Sequence, residues 1–416
     1  MSKTGKKRTN SITSEDDPLN NKKLKNNMSD QVIIINKNIK SLDDLIEIGS
    51  NYQANKKYNI NVEKLSKITP LLIKLKNIIG METVKTSIIG QIIYFLQDFQ
   101  NKNEDMLHTV IQGPPGVGKT MLGHIIGEIY WELDIIQSPN IINDYFDDYY
   151  DDDCDDCNND DDNDDDFNPK NISKNFKNII KTIKKSSRNT RSSKKKKEFK
   201  FKIAKRSDLI GKYLGHTAAK TQEVINDALG GVLFIDEAYS LGNPEGRDSF
   251  AKECIDTINQ NLTEKKNELL VIIAGYEDAL ETCFFSYNEG LNRRFPFRYT
   301  IDSYTPSELS KIFCKMVGEI NKEPKLEWSI DISNEKLDSF FKENYKLFPN
   351  FGGDIETFLL TVKIQHGIRV FCLSTENKRK INNDDLINAV KIYRVNKELK
   401  DKNYQMTKYL QDTMYI

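Results

Sequence analysis

Eight residues constrain this chain more than any others: Gly113-Pro114-Pro115-Gly116-Val117-Gly118-Lys119-Thr120. Every fixed position of the Gly-x-x-x-x-Gly-Lys-Ser/Thr pattern is filled. Thr109-Val110-Ile111 before it reads as a short buried strand, and residues 121–130 after it carry apolar side chains at helical spacing. The pattern therefore stands between a strand and a helix, the context in which it carries physical meaning. Glycines let the backbone wrap a phosphate chain with its amides turned inward, and the following helix N-terminus adds partial positive charge. In this placement Lys119 is expected to reach the β- and γ-phosphates of a nucleotide, and the Thr120 hydroxyl to ligate Mg²⁺.

A second stretch bears on what such a site does. Gly231-Val232-Leu233-Phe234-Ile235 is an uninterrupted apolar run closed by Asp236 and Glu237. The run reads as a central parallel strand buried on both faces. Its acids then fall at the C-terminal end of a strand, where open α/β sheets bind ligands. Asp236 is placed to hold a Mg²⁺ shell, and Glu237 to orient and polarise an attacking water. Taken alone, the run also reads as a strand followed by an acidic helix cap. Beside a phosphate loop, two carboxylates suit hydrolysis better than nucleotide holding, because the water needs a positioned base.

The charges nearly cancel, 61 Lys and Arg against 62 Asp and Glu, but they are segregated along the 416 residues, so net charge says little about partners. Six cysteines without regular spacing give no disulfide framework and point to a reducing compartment. Cys154 and Cys157 form a lone C-x-x-C inside an aspartate run, without a second Cys/His pair at zinc-finger distance. The polar, basic N-terminus lacks a signal-peptide apolar core, and no apolar stretch is long enough to span a bilayer. A soluble, intracellular protein without a membrane partner is expected.

Along the chain, residues 1–30 are polar and basic and read as a disordered tail. Lys6-Lys7-Arg8 and Lys22-Lys23-Leu24-Lys25 resemble a two-part nuclear import signal, and a solvated basic tail fits them equally well. Residues 31–70, with Leu42, Leu45 and Ile46 at helical spacing, read as a helical prefix. Residues 71–302 read as an α/β ATPase domain with a parallel sheet. An amphipathic helix near its start runs to about Gln97, and strands are expected at residues 199–203, 231–235, 269–274 and 299–301. The domain is interrupted at 138–198 by a stretch that is nearly solid aspartate and then strongly basic. This insertion cannot bury enough apolar surface to offset its ordering entropy, and is expected to be disordered. Residues 303–400 turn all-helical, opened by the capping box Thr305-Pro306-Ser307-Glu308, with further helices near 334–346, 353–372 and 383–401. Residues 401–416 read as a tail.

With both phosphate motifs placed, the chain resembles the AAA+ ATPases, and within them the group of stage V sporulation protein K and the red-type rubisco activases. The resemblance rests on Asp208-Leu209-Ile210-Gly211-Lys212-Tyr213-Leu214-Gly215-His216-Thr217 and Lys220-Thr221, then on the run from Gly230 through Asp236-Glu237-Ala238-Tyr239. Ala274-Gly275-Tyr276 and Gly290-Leu291-Asn292-Arg293-Arg294-Phe295 follow in order, so that residues 75–395 are covered apart from the insertion. The resemblance implies a P-loop NTPase sheet with a small helical lid, binding of ATP and Mg²⁺, and a homo-oligomeric ring, usually a hexamer, that pulls on macromolecules through a central pore. It implies that Tyr213-Leu214-Gly215 form a pore loop, that Arg294 or its neighbour Arg293 is an arginine finger, and that Tyr276 occupies the first sensor position. The second sensor, often an arginine, is matched by Phe351-Gly352-Gly353-Asp354-Ile355-Glu356, which has none. His216, beside the pore loop, is a candidate pore or interface contact, whereas His108, His124 and His366 read as structural.

The expected function is ATP-driven remodelling or threading of a macromolecule, most simply a protein. The alternative is a nucleotide-dependent assembly or adaptor protein with weak hydrolysis. It would dock partners, nucleic acid among them, through the charged insertion and its basic residues 194–197.

Overall fold

The structure, a computed structural model, describes residues 32–101, 104–137, 198–213, 215–245, 247–320, 328–372 and 378–414. The basic tail, the charged insertion with Cys154 and Cys157, and Leu214 lie outside these residues. The chain divides into two compact units, Met1–Ile78 with Glu82–Asn101, and Ile79–Met81 with Lys102–Ile416.

In the first unit, strand β1 (Val32–Ile33) pairs in parallel with β2 (Lys57–Tyr58) beside helices α1 (Leu42–Ser50), α2 (Val62–Lys76) and α3 (Glu82–Leu96). Ser41 and Asp44 close a capping box at the start of α1. Leu45, Leu65, Ile68, Leu72 and Leu75 are buried between α1 and α2 at helical spacing. The sequence reading ended this prefix at residue 70 and gave the next helix to the ATPase domain; the unit instead includes α3. Lys85 accounts for part of this. Its ammonium donates to the Ile78 carbonyl at 2.7 Å and the Lys76 carbonyl at 3.4 Å, just where the C-terminus of α2 favours a cation.

The second unit is built on a parallel sheet. In chain order its elements are β3 (Thr109–Gln112), α4 (Lys119–Glu132), β4 (Phe201–Ala204), α5 (Arg206–Leu209), α6 (His216–Ala228), β5 (Gly231–Ile235), α7 (Ser249–Glu264), β6 (Leu269–Gly275), α8 (Glu277–Cys283), α9 (Glu289–Arg294) and β7 (Phe297–Thr300). The strand order is β4-β5-β6-β3-β7, every pair parallel. β3, β5 and β6 are buried along their whole length, which is why they read as continuous apolar runs. β4 and β7, at the two edges, are only partly buried. Chain order reverses at β3, which lies between β6 and β7, so the crevice at its C-terminal end is the expected ligand site of an open α/β sheet.

After the sheet come α10 (Pro306–Gly318), β8 (Ser329–Ile330), α11 (Asn334–Glu343), α12 (Phe351–Val370), β9 (Lys380–Ile381) and α13 (Asn383–Met414). The Thr305–Glu308 capping box forms, with Pro306 in the first turn. Phe313, Phe341, Phe348 and Phe358 make the aromatic core of this helical region, with the Phe348 and Phe358 ring centroids 5.3 Å apart. Two features differ from the sequence expectation. The region is not all-helical, because β8 and β9 pair in parallel, with the Asp331 amide donating to the fully buried Ile381 at 2.7 Å. The last helix does not stop near 400 but runs to Met414, through a stretch without glycine or proline to end it. Among the described residues, no helix is long and apolar enough to cross a membrane.

Candidate active site

The loop after β3 is shaped by its glycines. Gly116 at φ 71° and Gly118 at φ 91° take left-handed backbone, and Gly118 caps α4. The Gly113 amide donates to the Gly275 carbonyl at 3.1 Å, fastening the loop to the end of β6. Lys119 folds back under the loop and donates to the Gly113 and Pro114 carbonyls at 2.9 and 2.8 Å. Burial draws its pKa below the ordinary lysine value, while the charges of Asp236 and Glu237 oppose that shift. Its ammonium stands 5.3 Å from the centre of the Tyr276 ring, in cation–π range. Pro115 and Thr120 are half-buried in the same loop and helix start, and Val117 is buried.

At the end of β5, the Asp236 amide donates to the Ala204 carbonyl at 3.1 Å, and the Asp236 carboxylate accepts the Glu237 amide at 3.1 Å. Glu237 sits at φ 52°, a left-handed conformation that a residue with a side chain adopts only at a cost. Its side chain is exposed, and the turn after it is closed by the Ser240 amide on the Glu237 carbonyl at 2.7 Å. Tyr239 leaves that turn to meet Tyr276, their ring centroids 5.4 Å apart.

The residues fit a nucleotide with a divalent cation. The left-handed glycines at the head of α4, Lys119, and Thr120 in the first turn offer the donor types a phosphate chain takes, and Asp236 is a hard oxygen donor. Among the described residues, no group of three or more His, Cys, Asp and Glu could hold a metal ion.

The helical region touches this loop directly. The Gly352 amide donates to the Gly116 carbonyl at 3.1 Å, and the buried Tyr304 hydroxyl donates to the Val117 carbonyl at 2.9 Å. Tyr345 in turn donates to the Tyr304 carbonyl at 2.8 Å, and Phe351, at φ 44°, sets its ring edge-on to Tyr304. The stretch without a sensor arginine thus meets the phosphate loop through backbone. Sequence reasoning missed Tyr304 and Tyr239 as site residues. The paired glycines 352 and 353, at the start of a helix, were the visible sign of a close backbone approach.

The remaining candidates lie elsewhere on the unit. Arg294, at the end of α9, is half-buried and donates to the Thr263 hydroxyl at 2.9 Å and the Gly290 carbonyl at 3.0 Å. Arg293 is exposed. Tyr213 is 67% exposed and rests edge-on against His216 at 5.6 Å, while Gly215, left-handed at φ 83°, caps α6. His108 and His366 are buried. His108 accepts the Val271 amide at Nδ1 and faces the Leu262 carbonyl with Nε2. His366 contacts Asp385 at 2.8 Å.

The sequence pattern described as the ATPase family associated with various cellular activities (AAA) matches residues 177–303. The chain is 38% identical over 334 residues to a cfxQ-like protein, R730, of Acanthamoeba polyphaga mimivirus, covering 79% of this chain and 66% of that one. It is 28% identical over 253 residues to stage V sporulation protein K of Bacillus subtilis, covering 59% of each. It is also 33% identical over 168 residues to protein CfxQ of Xanthobacter flavus, covering 40% of this chain and 51% of that one. The chain thus spans just under two thirds of the length of the first of these relatives, and less of the others.

Proposed function

The chain belongs to the AAA ATPases, and from that we propose that it hydrolyses ATP in a homo-oligomeric ring and uses the energy to remodel or thread a protein substrate. The convergence of Lys119, Tyr276, Asp236 and Glu237 on one glycine-shaped loop at the strand-order reversal carries this reading. Loop amides and Lys119 bind the phosphates, and Asp236 with Thr120 would hold Mg²⁺, which would supply neutralising charge there when bound. Glu237 orients a water and takes one of its protons as the water oxygen bonds to the γ-phosphorus and the bond to the bridging oxygen breaks, releasing ADP and phosphate. Arg294, or Arg293 beside it, stabilises the developing charge from a neighbouring subunit.

Tyr213 offers an exposed ring that grips an extended chain with little sequence preference. The testing experiment is ATP turnover with and without an unfolded protein such as casein. The wild type is expected to turn over faster with casein, and Tyr213→Ala to lose that stimulation. Turnover indifferent to casein in the wild type, with casein bound only through residues 138–198, would favour the adaptor reading.

A further inference from the structure

Tyr213 stands in the loop between α5 and α6, and hydrogen bonds fasten those two helices to each other. The Lys220 ammonium donates to the Ser207 and Ile210 carbonyls at 2.6 and 3.1 Å, and the Thr221 hydroxyl to the Leu209 carbonyl at 3.0 Å. The Gly211 amide donates to the Thr217 hydroxyl at 3.2 Å, so the loop has fixed ends. β4, which leads into α5, follows β5 as far as Asp236, whose amide donates to the Ala204 carbonyl at 3.1 Å. Beyond that point Arg206, the first residue of α5, takes over. Its guanidinium donates to the Ser240 and Leu241 carbonyls at 2.7 and 2.6 Å and to the Asp248 carboxylate at 2.7 Å. The two carbonyls belong to the short turn Ala238–Leu241 that starts from the left-handed Glu237, and the Ser240 amide donates back to the Glu237 carbonyl at 2.7 Å. Asp248 in turn caps α7, accepting the Phe250 and Ala251 amides at 3.0 and 3.1 Å. A left-handed residue with a side chain persists only where its surroundings hold it. Here the turn after Glu237 is held from the segment that carries Tyr213.

We propose that Arg206 is a positioning residue that couples these two places: it keeps the turn after Glu237 in register with the Tyr213 segment, so that a pull on the ring reaches the site of hydrolysis. The inference rests on Tyr213 contacting substrate and on Glu237 serving hydrolysis. Coupling between sites travels through contiguous packed and hydrogen-bonded groups, and Arg206 closes the one gap between these two. A guanidinium suits the place, because its planar fork spans two carbonyls and a carboxylate at once, whereas an ammonium is a single point of charge.

ATP turnover by the full chain at saturating casein tests this in wild type, Arg206→Gln, Tyr213→Ala, their double variant and Asp248→Asn, with casein binding by fluorescence anisotropy and Tm measured alongside. Arg206→Gln is expected to lower the casein-saturated kcat by about tenfold, with the KM for ATP and the affinity for casein held within about twofold. The double variant is expected to be no slower than the slower of its parents, because both act on one path. Asp248→Asn keeps the helix cap and leaves Arg206 its two carbonyls, so its stimulated rate should stay within about twofold of wild type. Arg206→Lys, which retains the charge facing Asp248, is expected to show the same loss and replaces Arg206→Gln where that variant lowers Tm. Equal losses in the Arg206 variant and Asp248→Asn, a loss that adds to that of Tyr213→Ala, or a KM that moves with kcat would each mark a structural role and overturn the proposal. Stimulation lost in Tyr213→Ala but intact in Arg206→Gln overturns it while leaving the threading reading in place. A wild type that casein does not stimulate overturns both.

Discussion

The Gly352 amide and the Gly116 carbonyl are joined by a 3.1 Å hydrogen bond, so the helical region and the phosphate loop meet backbone to backbone. A side chain at Gly116 has no room. Its Cβ would run into the Asn350 carbonyl, and its φ of 71° already disfavours any residue but glycine. Gly116→Ala is therefore expected to cost about 1–2 kcal/mol for the left-handed backbone alone, with more from the overlap. It should weaken fluorescent-ATP binding at least about tenfold. Gly353→Ala is the matched control, since a Cβ there meets nothing within 4 Å, and its binding should stay at the wild-type level. Equal losses in both variants would contradict the docking role.

Arg294 is held within its own chain by Thr263 and Gly290, whereas Arg293 is exposed. A finger acts across a subunit boundary, so variants of finger and base should complement each other in a mixed ring. Arg294→Ala and Glu237→Gln are each expected to lose turnover by about a thousandfold, and their mixture to recover part of it. Recovery with Arg293→Ala in place of Arg294→Ala would transfer the role to Arg293. No recovery with either would speak against a shared site.

His108 sets an acid limit on stability. Burial lowers its pKa from the ordinary 6.5 to about 4, against the Leu262 carbonyl contact that raises it, with Arg294 lowering it further. The folded chain thus holds His108 neutral where the unfolded chain would protonate it. Its contribution to stability is full above pH 6.5 and is lost as pH falls toward 4 and through it, on the order of a few kcal/mol in all. Urea midpoints at pH 7.0 and 4.5 should fall further in wild type than in His108→Gln, which keeps one donor and one acceptor. The same fall in both would remove His108 from the account.

What could be read from the sequence follows burial and local geometry. β3, β5 and β6 were legible because strands buried on both faces are apolar throughout, and α10 because its capping box is written in four consecutive residues. The placement of Lys119 at the start of α4 and of Asp236 and Glu237 just after β5 was legible because the glycine-rich loop and the apolar run closed by acids are local patterns. The β8–β9 pair was not, since two-residue strands arise from tertiary placement and carry no periodicity. Nor were the contacts of Tyr239 and Tyr304, which meet residues distant in sequence: the Tyr239 ring packs on Tyr276, and the Tyr304 hydroxyl donates to a carbonyl 187 positions away. The placement of α3 depends on Lys85 reaching back to α2, a contact no helical repeat encodes.

The proposed ATP hydrolysis, with Glu237 as the base at a site completed by a neighbouring copy, makes turnover depend on assembly. Steady-state ATP turnover measured against protein concentration, for wild type and Glu237→Gln, tests it most directly. The specific rate is expected to climb with concentration in the wild type and to disappear in the variant, while both proteins bind ATP. A flat, negligible rate in both, with ATP still bound, would contradict it.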